Sequence, residues 1–301
     1  MISASRRTDI PRYFARWFVE RRRAGFAEYR NAFGVSGRAS LATRDVLAYL
    51  FWTRYALPFA DPLTALREEG VPHAFQYTIA GHCRDVEPHV PETERALDDF
   101  LRTSVALPSP ACIEWRYDPI VLSDRYTHGW HLRRFARIAE RLQGATRVVN
   151  TSIVEPYRKA LRRLADPTTR FRRVDPTRHR AVARQHPDLP VADTSALLAD
   201  LRVVAVEHGM ELRACCDAEL GLPPSQCIAP ELLAPWGEQV AAMVRAQRPA
   251  PSRTSCRCVR AVDIGMDETC LAGCKYCYVV SSHARAVEHF RRHDPRASAL
   301  R

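Results

Sequence analysis

The sequence predicts an α/β fold, a (β/α) barrel or a near relative in which parallel strands alternate with helices. Three observations predict it. Short apolar runs ending in polar residues recur along the chain, as buried parallel strands do. Amphipathic stretches with apolar residues at three- and four-residue spacing lie between them. A hydrophobic content of 46% over 301 residues is enough for one sizeable core and argues against disorder.

The elements follow in order. Ile2–Ser5 is the first strand and Tyr13–Arg23 the first helix. Strands are predicted next at Phe26–Asn31, Val46–Thr53 and Ala74–Ala80. Helix Glu92–Thr103 precedes strand Cys112–Tyr117, and helix His131–Leu142 precedes strand Arg147–Ile153. Helix Thr194–His208 leads to strand Glu211–Cys215, and Val259–Ile264 is the last strand. Eight strands is the count of a (β/α)₈ barrel, whose active site lies at the C-terminal strand ends. Those ends are rich in chemistry here: Ser5-Arg6-Arg7-Thr8-Asp9, Arg30-Asn31, Trp52-Thr53-Arg54, Trp115-Arg116-Tyr117-Asp118, Glu155 and Cys215. The chain reads as one domain, 1–301. Residues 160–195 read as an insertion or long basic loop, Arg248–Ser255 as a linker, and 215–280 as a cysteine-rich region.

The formal charge is +11, yet only Lys159 and Lys275 among 45 basic residues are lysines. Arginine bias of this kind follows from a GC-rich genome and needs no acidic partner. Between Arg158 and Arg184 ten basic residues face only Asp166 and Asp175. A solvated face is the favoured reading of that run, and a phosphate-tracking surface the minority one. No apolar run approaches the roughly 18 residues of a membrane span. The N-terminus lacks a signal peptide's apolar core. The expectation is a cytoplasmic protein with no membrane partner.

Ten cysteines in such a chain point to metal or redox use. Eight of them fall between Cys215 and Cys277, while Cys83 and Cys112 stand alone and are expected to pack. Cys270-Leu271-Ala272-Gly273-Cys274-Lys275-Tyr276-Cys277 has CxxxCxxC spacing, with an aromatic before the third cysteine. Three thiolates on a 4Fe–4S cube leave one iron open. This pattern resembles that of radical S-adenosylmethionine (SAM) enzymes, in which the open iron takes the SAM amino and carboxylate groups. Gly273 permits a tight loop around the cube. Zinc is the weaker reading, since its sites favour separated CxxC pairs. Cys256 and Cys258, with Cys215 and Cys227, suffice for a second centre, either an auxiliary iron–sulfur cluster or zinc. Cys215 is preferred to Cys216 because strand alternation aims them apart. Buried free thiols are the bland alternative.

Together these residues resemble an uncharacterised bacterial family, the domain of unknown function numbered eighteen forty-eight. Its signatures stand here as Ile2 to Pro11, Phe51-Trp52-Thr53-Arg54, Trp115-Arg116-Tyr117-Asp118-Pro119-Ile120, and Cys256-Arg257-Cys258 leading through Val262-Asp263-Ile264-Gly265 to the final cysteines. Members also look similar to the spore photoproduct lyase branch of radical SAM proteins. The resemblance implies a barrel, SAM and iron–sulfur cofactors. In such barrels the cluster loop follows the first strand. Val259–Ile264 would be that strand here, with His283–Arg292 as the next helix and the barrel circularly permuted. Ser5, Arg6, Arg7 and Asp9, with Tyr276, then become the SAM-binding candidates. An N-terminal helix cap by Thr8 or Asp9 is weighed equally for those two residues. Arg116 and Asp118 are the catalytic candidates, against an internal ion pair. Substrate, as nucleic acid or small molecule, and a low-potential electron donor complete the expected partners. A non-catalytic zinc or iron–sulfur protein that grips nucleic acid through arginines is the rival.

Overall fold

The computed structural model describes all residues except 32, 156, 166–169, 172, 175–190, 193, 251–255 and 301. Much of the predicted insertion and linker therefore lies outside the described residues. The chain opens with β1 (Ile2–Ala4), α1 (Ile10–Tyr13) and α2 (Ala15–Ala24), then β2 (Phe26–Arg30) and β3 (Ser36–Ser40). It continues through β4 (Tyr49–Thr53), α3 (Ala60–Glu68), β5 (His73–Thr78), α4 (Thr93–Val105), β6 (Ile113–Ile120), α5 (His128–Leu142), β7 (Val148–Ile153) and α6 (Arg158–Leu164). After a two-residue pair, β8 (Arg173–Val174) and β9 (Val191–Ala192), come α7 (Ser195–Glu207), β10 (Glu211–Ala214), α8 (Pro230–Leu233) and α9 (Glu238–Arg245). β11 (Val262–Asp263) and α10 (His283–Arg291) follow.

Seven strands form one parallel sheet in the order β10-β7-β6-β5-β4-β1-β11. The predicted eighth strand goes elsewhere: β2 pairs antiparallel with β3 in a separate hairpin. Local turn chemistry explains this. Asn31 Oδ1 accepts from the backbone N–H of Phe33 and Val35, both at 2.9 Å, and Gly34 takes φ +84°, so the chain reverses at once. The sheet is open. Its edge strands β10 and β11 do not pair with each other, so the expected closed eight-stranded barrel is not formed among the described residues.

Register explains the two faces, because side chains alternate and parallel neighbours stay level. One face carries Tyr49, Phe51, Phe75, Tyr77, Trp115 and Tyr117, all buried. Helices cover it. Phe18 of α2 meets Phe51 at 5.5 Å, Phe100 of α4 meets Tyr77 at 5.1 Å, and Phe135 of α5 meets Trp115 at 4.7 Å. Each such side chain contributes about 1.5–3 kcal/mol on burial. The other face is polar. It carries Ser3 level with Asp263, Gln76 level with Glu114 and Arg116 level with Asn150. The loop that carries Cys227 meets this face, where Cys227 O accepts from Gln76 Nε2 at 3.1 Å. Among the described residues, no helix is long and apolar enough to cross a membrane.

Candidate functional site

β11 hands the chain to the loop that carries Cys270, Cys274 and Cys277. Gly273 takes φ +66°, a conformation that favours glycine. A Cβ there would stand 2.8 Å from His89 and 3.3 Å from His283, whose rings stack at 4.4 Å. The loop is tied on several sides. Lys275 N donates to Val86 O at 2.9 Å, and Arg163 of α6 donates to Val280 O at 2.8 Å and to Cys277 O. All three cysteines, with Gly273, Arg163 and His283, line one cavity of about 100 Å³.

Tyr276 packs its ring against a small apolar cluster that includes Val86, Tyr126 and Leu161. Its hydroxyl donates to Glu87 and accepts from Arg54. Arg54 Nη1 also donates to Glu87, at 2.8 Å, and His82 Nδ1 lies 3.7 Å from the same carboxylate. Burial alone would raise the Glu87 pKa, but Arg54, His82 and Tyr276 outweigh it and hold the carboxyl at about 2. Arg54 lies within electrostatic reach of Cys270 and Cys274. Burial pushes those two thiols up to about 11 and about 12. A buried guanidinium therefore stands beside thiols that must lose protons to become ligands.

The segment after β1 is mostly engaged in holding this loop. Ser5 Oγ donates to Asp263 Oδ1 at 2.5 Å and Arg6 N to Asp263 Oδ2 at 3.0 Å. Gly265 allows that approach, since a Cβ there would lie 2.0 Å from Ser5 Oγ. Arg7 donates to Arg30 O at 2.8 Å, to Asp267 at 3.0 Å and to Gly265 O. Asp9 caps α1 through Arg12 N at 3.1 Å and accepts from Thr53 Oγ1 at 2.7 Å and Arg54 N at 2.9 Å. Burial lifts its carboxyl to about 6 against those bonds. The helix-cap role is thus the one that Asp9 occupies. Arg6 keeps 30% of its side chain exposed and lies over the Trp52 ring, 5.8 Å from its centroid.

Arg116 and Asp118 lie toward the second cysteine group. Arg116 Nη2 donates to Asp118 at 2.5 Å, Ser152 holds the other carboxylate oxygen, and Arg116 Nη1 donates to Cys227 Sγ at 3.1 Å. The pair that the sequence offered as catalytic is an ion pair ending on a thiol. Cys215 Sγ is 3.8 Å from Cys227 Sγ and 3.8 Å from Cys216 Sγ. Cys258 lies within electrostatic reach of Cys227 and of Cys256. The neighbouring Cys215 and Cys258 thiols, aided by Arg116, pull the Cys227 thiol well below its usual range despite burial. The alternation argument for Cys215 over Cys216 does not apply, because β10 ends at Ala214 and Cys216 takes φ +58°. Beside this group Gln76 and Asn150 donate to Glu114 at 2.5 and 2.7 Å, and burial pushes the Glu114 carboxyl up to about 7.

Among the described residues, no three His, Cys, Asp or Glu side chains already close on one point as a metal requires. Thiols reach ligand geometry as a cation replaces their protons, so the fit is read from their surroundings. The first group fits an iron–sulfur cluster in three respects. Its cysteines share one cavity, Arg54 supplies a buried positive charge, and the buried Tyr13 hydroxyl, which has no hydrogen-bond partner, lies within electrostatic reach of Cys270 and Cys274. Sequence reasoning missed Glu87, His82 and Arg163. Glu87 and Arg163 meet the loop across 189 and 114 residues, and no local pattern marks such contacts.

The family model described as Domain of unknown function (DUF1848) matches residues 1–279. No curated protein and no solved structure matches the chain.

Proposed function

The chain belongs to the DUF1848 family, and we propose that it is a radical SAM enzyme whose 4Fe–4S cluster is held by Cys270, Cys274 and Cys277. One observation carries this reading: the three cysteines of the CxxxCxxC spacing line a single cavity in the loop after a strand of a parallel sheet. Bound there, the cluster and SAM would supply a deoxyadenosyl radical for hydrogen abstraction from a substrate.

The chain's own residues divide the remaining work. Arg54 offsets thiolate charge at Cys270 and Cys274, and Glu87 with Tyr276 fixes its position. Arg163 and Val86 clamp the loop and limit water entry. Arg6, the most accessible of the residues after β1 offered for SAM, is placed to hold a carboxylate. Ser5, Arg7 and Asp9 act by positioning that segment. The strand order, with β11 outside β1, supports a permuted barrel wall in which the strand before the cluster loop comes first. The substrate class stays at nucleic acid or a small molecule, with a low-potential electron donor.

The test is anaerobic reconstitution with iron and sulfide, followed by SAM and dithionite. 5′-Deoxyadenosine should form, and Cys274→Ala should abolish it. A reconstituted protein that binds SAM but never yields that product would sink the reading.

A further inference from the structure

We propose that Cys215, Cys227, Cys256 and Cys258 bind one tetrahedral zinc ion that has a structural role, rather than an iron–sulfur cluster. This assignment does not rest on the radical SAM reading, since it uses none of the residues of the first loop.

Sulfur spacing is the first argument. In a tetrahedral thiolate site with Zn–S near 2.3 Å, neighbouring sulfurs stand about 3.8 Å apart. Cys215 and Cys227 stand 3.8 Å apart. Cys258 lies within electrostatic reach of both Cys227 and Cys256, so the second pair stands beside the first. In a 4Fe–4S cube each thiolate sits beyond a different iron, which holds the sulfurs out of mutual contact. The contact between Cys215 and Cys227, from two different segments, suits one shared ion.

Charge and donors are the second argument. Four thiols that bind one Zn²⁺ release four protons to solvent, and the site carries a net charge of −2. Arg116, 3.1 Å from Cys227 and itself held by Asp118, offsets part of that charge. Ser225 Oγ lies 3.7 Å from the same sulfur and donates its proton to Asn150 Oδ1 at 2.6 Å. Four protein ligands with no open position are the mark of a structural rather than a catalytic zinc.

Position is the third argument. Cys215 follows β10, one edge of the sheet, while Cys256 and Cys258 precede β11, the other edge. The protein already joins these segments weakly, since Val259 N donates to Ile228 O at 3.5 Å. One ion would tie both edges of an open sheet together over its polar face.

The experiment uses the full chain with Cys270, Cys274 and Cys277 changed to alanine, expressed with both zinc and iron in the medium and purified anaerobically. One zinc per chain and no acid-labile sulfide is expected. Four irons with sulfide, a single iron, or no metal would each overturn the proposal. On the same background Cys227→Ser should lose the zinc and Cys216→Ser should keep it; the reverse result would refute this ligand set. Should Cys227→Ser fail to fold, Co²⁺ added to the metal-free parent decides. The visible bands of tetrahedral cobalt–thiolate support the site, and their absence refutes it. Arg116→Gln should weaken zinc affinity about 10- to 100-fold in chelator competition, and an unchanged affinity would remove Arg116 from the account.

Discussion

Replacing Glu87 by Gln removes one buried negative charge and little volume. Its side chain is 2% exposed and that of its partner Arg54 12%, so solvent screens the pair poorly. A carboxyl held at about 2 in place of its ordinary 4.5 contributes ~3 kcal/mol at neutral pH. Breaking a buried ion pair from one side costs a similar ~3–5 kcal/mol. The two routes agree on a loss of ~3 kcal/mol for Glu87→Gln. The sign with pH follows from the depressed folded value. The stabilisation is complete above the unfolded pKa and fades as pH falls from 4.5 toward 2. Urea unfolding of the reduced, metal-free wild type and variant at a series of pH values measures both. The gap should be full at neutral pH and close progressively in acid. A neutral-pH loss within the ~1 kcal/mol of an exposed ion pair, or a gap that stays constant into strong acid, would refute the reasoning.

Other outcomes follow from neighbouring geometry. Gly273→Ala forces a side chain into φ +66° against His89, at a cost of about 1–2 kcal/mol for the backbone alone; iron content after reconstitution should fall with it. Glu114→Gln should act oppositely to Glu87→Gln. The Glu114 folded pKa is raised to about 7, so the wild type loses stability as pH rises from 4.5 to 7. The variant should gain ~2–3 kcal/mol in mild alkali and nothing near pH 4, as read by thermal unfolding. Arg163→Ala removes two bonds to carbonyls of the cluster loop, each worth about 1.5–3 kcal/mol when the donor is charged. Amides of residues 277–281 should then exchange faster with deuterium.

Local patterning carried most of the fold. Seven of the strands read from apolar runs pair as parallel neighbours, because a run such as Tyr49–Thr53 has few other ways to bury itself. Phe26–Asn31 does contain a strand, but Asn31 and Gly34 turn it into a hairpin with β3 instead of a member of the parallel sheet. The cysteine pattern was legible because its spacing is local. The residues that surround it were not. The contact of Arg116 with Cys227 joins a β6 residue to a loop 111 residues away, and the tyrosine before Cys277 announces an aromatic but not the Glu87 and Arg54 that hold it. Asp9 shows the limit from the other side: a carboxylate at a strand end suits ligand binding and helix capping equally until Arg12, Thr53 and Arg54 are seen to occupy it.

The pairing of β1 with β11 has a consequence for biosynthesis. Ser3 and Asp263, joined by a hydrogen bond, lie 260 residues apart in the chain. At 5–20 residues per second, roughly tens of seconds separate their emergence from the ribosome. During that interval β1 presents an unpaired edge, the feature that recruits wrong strands and chaperones alike. The final cysteines are made later still. Under the proposed function metal loading of that loop would be a late event, and a nascent chain stalled before β11 would be both unsealed and without the three cysteines of the proposed cluster.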